Sequence, residues 1–418
     1  MKMTPNATAP APAPQRTPQA AHAPHLTNRP LAEALFAAAS GDPLTVVTAP
    51  PGAGKTFTIT HLAHQLATRM GLRVAIAAQT REQALDVANR TAALGAPTKM
   101  LLKRAAPRPQ GLAQGIRTTH AGAIRGATGV IVATTARWQW TRTEAYTADI
   151  LLIDEAYQLP YAALLAIGDL APQVVMVGDP GQIDPVITGD TTRWEGHHTA
   201  PHLPAPIAMA NAHPRHTTRV TLDQTHRLGP HTTAVAQLLY PALPFTSARP
   251  PEHVTHHGAD LPEYATTPLH ITAGPTDPAL TRTAADLALD LLDGATYTTV
   301  AGSRPLGPHD IAVIAPHVNQ QSLIAAALAH HPDILVSTIN AAQGLERPVV
   351  LAIHPMAGRR TTAEFATDLG RLCVTITRHR AHLNLITDTY TPGLLTPTAT
   401  DAAIATNLAV LQALDAGC

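Results

Sequence analysis

The sequence predicts an α/β protein built on two doubly wound parallel sheets. Short apolar runs rich in β-branched residues alternate with amphipathic segments, and this alternation occurs twice along the 418 residues. Runs of this kind are typical of strands that are buried on both faces of a parallel sheet. A chain of this length holds two or three domains with sizeable cores.

The first series of strands ends before residue 180, and the second begins after residue 310. Strands are predicted at Leu44–Thr48, Val74–Ala78, Gly129–Thr134, Ile150–Asp154 and Val174–Gly178, then at Ile311–Ala315, Ile334–Thr338, Val349–Ile353 and His382–Ile386. Helices are predicted at Thr56–Met70, Arg81–Ala93, Gln320–His330 and Thr362–Leu369. Residues 96–128 and 187–221 have the composition of loops.

These patterns divide the chain into three regions. Residues 1–28 are rich in Ala, Pro and Thr and lack the apolar segment of a secretion signal, so we expect a disordered tail that serves as a solvated extension or as a tether for a protein partner. Residues 29–224 form the first predicted domain and residues 225–418 the second, with the link near Leu222–Pro230.

Composition limits the classes of function. The formal net charge is zero, so affinity for nucleic acid has to come from local clusters of arginine. Cys373 and Cys418 are too few for a zinc cluster or a disulfide framework. The 23 histidines include the pairs His197/His198, His256/His257 and His330/His331, and we favour scattered loop residues over a metal site. No apolar run is long enough to span a bilayer, and we expect a cytoplasmic protein.

The clearest chemical signal follows the first strand. A glycine-rich turn precedes a helix and consists of Pro50, Pro51, Gly52, Ala53, Gly54, Lys55 and Thr56. Glycines let backbone N–H groups approach a phosphate chain, and a helix N-terminus adds favourable electrostatics. Lys55 is predicted to reach the β- and γ-phosphates of ATP, and Thr56 to bind Mg²⁺ through its hydroxyl.

Two further strands end in polar residues that complete this chemistry. Asp154 and Glu155 follow the strand "ILLI", where one carboxylate can bind Mg²⁺ and the other can polarise the attacking water. Gln182 follows the strand "VVMVG" and is placed to sense the γ-phosphate.

Together these segments resemble motifs I, II and III of the superfamily 1 helicases, most closely the Upf1-like branch and then the RecD/Pif1 type. Four later segments follow in the expected order: "LDQTHRLGP", "IAVIAPHVNQQ", "VSTINAAQGLERPVVLA" and "VTITRHRAHLNLI". The resemblance covers Leu44 to about Thr387. It implies a P-loop NTPase with two RecA-like domains that couples ATP hydrolysis to movement on single-stranded DNA or RNA.

The resemblance also implies roles for individual residues. Glu155 is the general base, Gln182 couples the γ-phosphate to domain closure, and Arg227 and Arg378 are arginine fingers that stabilise the transition state. Glu346 touches the ribose or locks the second domain. Implied nucleic-acid contacts are Gln79, Thr80, Thr134, Thr135, Pro316, His317, Thr338 and Gln343.

Several alternatives stay open at this point. Trp138 and Trp140 stack on bases or anchor the core. The segment before the glycine-rich turn lacks the glutamine with which relatives read adenine, so selectivity for ATP over other nucleotides is open. The same holds for DNA versus RNA, polarity, unwinding versus translocation, and oligomeric state. An NTPase switch that acts on a protein partner without nucleic acid is the alternative function.

Overall fold

The computed structural model describes residues 27–141 and 144–416. Most of the predicted N-terminal tail and Cys418 therefore lie outside the described residues. None of the described helices is long and apolar enough to cross a membrane.

Helices and short strands alternate along the whole described chain. The helices are α1 (Arg29–Ser40), α2 (Lys55–Thr68), α3 (Arg81–Ala93), α4 (Thr135–Trp138), α5 (Tyr161–Leu165), α6 (Ala205–Ala212), α7 (Pro230–Ala236), α8 (Pro278–Leu292), α9 (Val318–Ala327), α10 (Glu364–Thr367), α11 (Leu369–Ile376), α12 (Thr391–Leu395) and α13 (Ala402–Ala416). The strands of the first half are β1 (Leu44–Thr48), β2 (Val74–Ala78), β3 (Thr98–Leu101), β4 (Arg117–Thr119), β5 (Val130–Thr134), β6 (Ile150–Ile153), β7 (Gln173–Gly178), β8 (Thr217–Thr221) and β9 (Gln224–Thr225). Those of the second half are β10 (Thr246–Ser247), β11 (His253–His256), β12 (Ala259–Asp260), β13 (Tyr264–Leu269), β14 (Thr296–Thr299), β15 (Gly302–Pro305), β16 (Ile311–Ala315), β17 (Leu335–Thr338), β18 (Arg347–Ile353) and β19 (His379–Asp388).

The first sheet has eight parallel strands in the order β4-β3-β5-β2-β6-β7-β1-β8. Its central strands are buried on both faces, as the continuous apolar runs predicted. One apolar cluster packs under α1, α2 and α3, and another covers the opposite face around Trp138. The predicted α/β class with large parallel sheets is confirmed.

The second sheet has five parallel strands in the order β13-β19-β18-β16-β17, again with an apolar cluster on each face. A separate four-stranded sheet, in the order β12-β11-β14-β15, pairs its strands antiparallel. The sequence did not predict this small sheet, because its strands are two to four residues long and mostly polar.

Three predictions about local structure were wrong. Residues 96–128 carry the strands β3 and β4, and residues 187–221 carry α6 and β8, so neither range is only a loop. These strands lie toward the edges of the sheet, where one face or one side is exposed and the apolar pattern is weak. The helix predicted at Thr362–Leu369 is a short α10 followed by α11, because Asp368 caps a new helix by accepting from the Arg371 N–H at 2.7 Å.

Candidate active site

The three motifs associated with the first sheet meet because their strands are neighbours. β6, β7 and β1 are adjacent in the sheet, and the motif residues follow the carboxyl end of each. The carboxyl ends of parallel strands form the crevice in which α/β proteins bind ligands. The order of strands therefore brings Lys55, Glu155 and Asp179 to one place.

The glycine-rich turn leads directly into the first turn of α2. Gly54 has a φ of 88° and precedes Lys55, the first residue of the helix. Gly52 has a φ of 74°, and a Cβ atom there would lie 2.4 Å from the Cβ of Arg227. Only glycine allows both the backbone conformation and this close approach.

The turn is also held from the side by the segment after β9. The His226 N–H donates to the Gly52 carbonyl at 3.0 Å, and the Thr225 hydroxyl donates to the Pro51 carbonyl at 2.7 Å. These contacts fix the backbone of the turn before any ligand binds, and they attach Arg227 to it.

Lys55 lies between two carboxylates. Its Nζ is 3.5 Å from Glu155 Oε1 and 3.8 Å from Asp179 Oδ2, and all three side chains are almost entirely buried. Glu155 has a φ of 49°, an unusual value for a residue other than glycine. A phosphate drawn to Lys55 would compete with both carboxylates.

Asp154 is the most strongly perturbed acid of the site. Burial raises the pKa of Asp154 to about 7; the Glu155 carboxylate adds to this, and Lys55 opposes it. The Glu155 N–H donates to Asp154 Oδ1 at 2.9 Å, which fixes the carboxyl group. A buried carboxyl group beside a second acid is a donor set that suits Mg²⁺, so the residues present fit the ion that the motifs imply.

Asp179 connects the two halves of the molecule. Its carboxylate accepts from Gln182 Nε2 at 2.6 Å, from the Gly181 N–H at 3.0 Å and from the Tyr240 hydroxyl at 2.7 Å. The Tyr240 oxygen also lies 3.1 Å from Cys373 Sγ on α11. Gln182 Oε1 is buried and accepts no hydrogen bond from the described residues, so it is free to receive a donor.

Arg227 links the glycine-rich turn to the second sheet. Its Nε donates to Glu346 Oε2 at 2.7 Å, and its Nη1 donates to the Thr377 carbonyl at 3.2 Å. Burial would raise the pKa of Glu346, but Arg227 and Arg380 outweigh burial and lower it. The structure places Glu346 in contact with both guanidinium groups.

Arg378 is almost fully buried, with 2% of its surface exposed. Burial lowers the pKa of Arg378 to about 10, and the charge of Arg227 acts in the same direction. Its Nη2 donates to the Thr377 hydroxyl at 2.9 Å, while its Nε is buried without a partner among the described residues. A buried cation with an unsatisfied donor is suited to receive an anionic group.

Four of the residues predicted to contact nucleic acid also lie at the carboxyl ends of strands in the first sheet. Gln79 and Thr80 follow β2, and Thr134 is the last residue of β5, the next strand outward. Thr80 and Thr134 cap α3 and α4 by accepting from Gln83 N–H and Arg137 N–H. The side chain of Thr135 is buried, and its hydroxyl donates to the Ala78 carbonyl.

A cleft of about 470 Å³ lies beside Thr134. Apolar side chains such as Leu85 and Met100 line it, together with the cations of Arg81, Lys103 and Arg137 and one acid, Glu82. None of these three cationic side chains lies within 4.0 Å of a carboxylate in the described residues. Cations with an apolar floor suit a chain of phosphates and bases.

In the second sheet, the residues predicted to contact nucleic acid lie at the carboxyl ends of the strands. Those predicted to contact nucleotide lie at the amino ends. Pro316 and His317 follow the carboxyl end of β16, and Thr338 ends β17. Glu346 and Arg378 instead precede the amino ends of β18 and β19. Gln343 lies in the turn after β17, and its Nε2 is buried without a partner in the described chain.

His317 is held firmly in this region. Its ring stacks on Phe365 at 5.3 Å between centroids, and its Nε2 lies 3.1 Å from Arg359 Nη2. Burial and the charge of Arg359 both lower the pKa of His317. The imidazole is therefore kept neutral at neutral pH.

Sequence reasoning missed Tyr240, Cys373 and the Arg380–Glu252 pair, in which Arg380 Nε donates to Glu252 Oε2 at 3.0 Å. Tyr240 lies in an ordinary apolar segment, and only its contact across the two sheets distinguishes it. Arg380 stands two residues after Arg378 in "TRHR", which was the one available signal.

The open question about tryptophan is answered for Trp138, a core anchor whose Nε1–H donates to the Ile76 carbonyl at 2.8 Å.

Comparison with known proteins gives two family models, both described as an AAA domain, over residues 31–205 and 282–390. Over 83 residues the chain is 34% identical to DNA-binding protein SMUBP-2 of Mus musculus and 32% identical to that of Rattus norvegicus. This stretch is 20% of the chain and 8% of each of those proteins.

Among solved structures, the chain is similar to the Arterivirus nonstructural protein 10 (helicase), alone and in complex with DNA. The sequence identity is 18% and the TM-score 0.46 in both cases. The match covers 85% and 87% of this chain, but 61% and 65% of the viral chains. This chain thus spans less than two thirds of the length of the helicases that it matches.

Proposed function

We propose that this chain, which matches AAA-domain models over residues 31–205 and 282–390, is a P-loop NTPase of the superfamily 1 helicase type and an ATP-dependent translocase or helicase acting on single-stranded nucleic acid. The observation that carries this proposal is the buried link from Lys55 through Asp179 to Tyr240. It joins Lys55, the first residue of α2 and the proposed phosphate ligand, to the apolar core around the second sheet. Such a link lets a change at the γ-phosphate alter the relation of the two domains.

The proposed chemistry follows from the side chains around the glycine-rich turn. The backbone from Pro50 to Thr56 cradles the phosphates, and Lys55 binds the β- and γ-phosphates. Thr56 and Asp154 would hold Mg²⁺, which supplies charge neutralisation on the phosphate oxygens when it is bound. Glu155 accepts the proton of the attacking water, which its position beside Lys55 supports.

Charge that develops on the phosphate is stabilised by arginine. Arg227 and Arg378 come from the side of the second sheet, and both have buried guanidinium groups. An arginine finger of this kind accelerates phosphoryl transfer by about 10³ to 10⁵ in related NTPases. Glu346 holds Arg227 in place through its 2.7 Å ion pair.

The strand of nucleic acid runs along the strand ends of both sheets in this proposal. Thr80, Thr134 and Thr338 lie at the carboxyl ends of β2, β5 and β17, and the cationic cleft beside Thr134 extends this surface. Contacts to phosphates from such groups are independent of sequence, which suits movement along a strand.

Steady-state hydrolysis of ATP by Glu155→Gln tests the assignment of the base. The substitution keeps the size of the side chain and removes its basicity, so we expect kcat to fall by at least about 10²-fold while ATP still binds. Glu195→Gln, an exposed glutamate outside the site, is the matched control and should hydrolyse ATP like the wild type. Unchanged hydrolysis by Glu155→Gln would refute this assignment.

A further inference from the structure

A second cluster of ligand-forming side chains lies where the hairpin of β11 and β12 meets the end of α8. His256 is the last residue of β11, His257 lies in the hairpin turn, and Asp290 is in the last turn of α8. Each offers one nitrogen or oxygen atom, and these atoms all lie within 4.8 Å of one another. None of the three residues belongs to the nucleotide site.

The hydrogen bonding of His256 fixes which ring nitrogen is available. Its Nε2 lies 3.3 Å from the Asp293 carbonyl oxygen, which can only accept, so Nε2 carries the proton. In the neutral ring Nδ1 then presents a lone pair, and it faces Asp290 Oδ2 at 3.8 Å. Two acceptors that face each other favour a cation between them. Ligating histidines commonly donate their other N–H to a carbonyl or carboxylate in this way.

The surrounding electrostatics also favour a cation. A helix ends in a partial negative charge, and α8 has no basic residue in its last turn. Asp290 lies in that turn and Asp293 caps it, so two carboxylates add to the helix dipole. His256 is 6% exposed as a side chain, whereas His257 is 74% exposed, which leaves an entry path from solvent.

The spacing suits a zinc ion. Ligand atoms about 2.0–2.1 Å from Zn²⁺ at the tetrahedral angle lie about 3.3 Å apart. Asp290 Oδ2 is 3.8 Å from His256 Nδ1, and Asp290 Oδ1 is 3.7 Å from His257 Nε2. One ligand atom from each residue lies within 4.8 Å of the others, so contractions of up to about 1.5 Å would complete the geometry. The exposed side chains of His257 and Asp290 have the freedom to rotate by this amount. Imidazole ligands select zinc over Mg²⁺, which prefers oxygen alone.

We propose that His256, His257 and Asp290 form a zinc site that fastens the β11–β12 hairpin to the end of α8. The fourth position is left to water. The site is independent of the proposed function, because its ligands lie on the small antiparallel sheet and on α8 and not at the glycine-rich turn.

The test is calorimetric titration of the full chain, freed of metal with EDTA, with Zn²⁺ alone, followed by thermal unfolding. His257→Asn is the informative variant, since asparagine accepts the φ of 48° at this turn and the side chain is exposed. We expect one Zn²⁺ per chain in the wild type and affinity weakened more than about tenfold in the variant. Zinc should raise the melting temperature of the wild type but not that of His257→Asn.

His198→Ala is the matched control, because His197 and His198 are another adjacent pair and no described carboxylate completes a cluster with them. It should bind Zn²⁺ like the wild type. Equal affinity in His257→Asn and the wild type would overturn the proposal, as would binding that Asp154→Asn removes and His257→Asn retains. Failure to bind one saturable ion would overturn it too.

Discussion

At the scale of single residues, the site consists of charges that the fold buries close together. Lys55 has two carboxylate neighbours within 4 Å, and Asp154 has no strong counter-charge besides Lys55. Burial of an acid without a full partner favours its neutral form. The site therefore carries an energetic cost that a bound cation would relieve.

The variant Asp154→Asn tests this energetic cost, because the cost makes the stability of the wild type depend on pH. Burial raises the pKa of Asp154 from 3.8 to about 7, so between these values the folded chain keeps a proton that the unfolded chain releases. Stability of the wild type then falls as pH rises through this window and stays low above it. We expect the melting temperature of the variant in EDTA to exceed that of the wild type by a margin that widens from about pH 4 to pH 7.

The control for this experiment is Asp149→Asn, whose carboxylate pairs with Arg73 at 2.7 Å. The hydrogen bond from Arg73 lowers the pKa of Asp149 more than burial raises it. Removing that charge should lower the melting temperature at neutral pH. A margin for Asp154→Asn that shows no dependence on pH would contradict the account of this acid.

Tyr240→Phe tests the link between the two sheets. The variant loses the hydroxyl that donates to Asp179 at 2.7 Å, and a hydrogen bond to a charged group contributes about 1.5–3 kcal/mol. We expect a loss of this size in urea unfolding, and a fall in kcat for ATP that exceeds any change in KM. Tyr146→Phe removes a buried hydroxyl without a described partner and should change neither quantity. Identical behaviour of the two variants would exclude a positioning role for Tyr240.

The residues with chemical roles were predictable where local sequence determines their place. Lys55, Asp154 and Gln182 follow strands, and strand ends are visible in the sequence. Tyr240 and Cys373 are separated from Asp179 by 61 and by nearly 200 positions, and only the packing of two sheets joins them. Nothing in an apolar segment indicates which tyrosine will reach across.

At the scale of elements, the short helix α4 shows how local structure anchors the sheet. Trp138 ends α4, is 1% exposed, donates to the Ile76 carbonyl of β2 and stacks on Tyr146 at 5.9 Å between centroids. Because Thr134 caps the same helix, the anchor also fixes the strand end that carries Thr134.

Trp138→Ala should therefore destabilise the fold. Truncation of a buried tryptophan costs about 3–5 kcal/mol, and here it also leaves the Ile76 carbonyl without its donor. Trp140→Ala is the control, since Trp140 is 77% exposed and its loss should change stability by less than about 0.5 kcal/mol. Chemical denaturation that gives equal losses for the two variants would contradict the assignment of Trp138 to the core.

The central strands were predictable because a strand that is buried on both faces consists of consecutive apolar residues. The outer strands β4 and β8 and the small antiparallel sheet were not, because exposed positions accept polar residues and break the pattern. The division between α10 and α11 was also not predictable. The capping residue Asp368 begins a new helix within a segment whose pattern predicts one continuous helix.

At the scale of the whole molecule, the two parallel sheets present opposite strand ends to the candidate site. The first presents the carboxyl ends of β1, β6 and β7, and the second presents the segments before β18 and β19, which carry Glu346 and Arg378. Arg227 connects these strand ends through its partly buried ion pair with Glu346, and Tyr240 through its buried hydrogen bond to Asp179. In the proposed mechanism, a change at the glycine-rich turn can thus reach the surface of both sheets that carries Thr134 and Thr338.

The central claim is that nucleic acid controls this ATPase. The most direct measurement is the steady-state rate of ATP hydrolysis with and without single-stranded DNA and RNA, using Lys55→Ala to define the background. We predict a rate that single strands increase, that added salt weakens because phosphate contacts release counterions, and that Lys55→Ala abolishes. Appreciable hydrolysis that neither polymer changes would contradict the claim and point to a switch that acts on a protein partner.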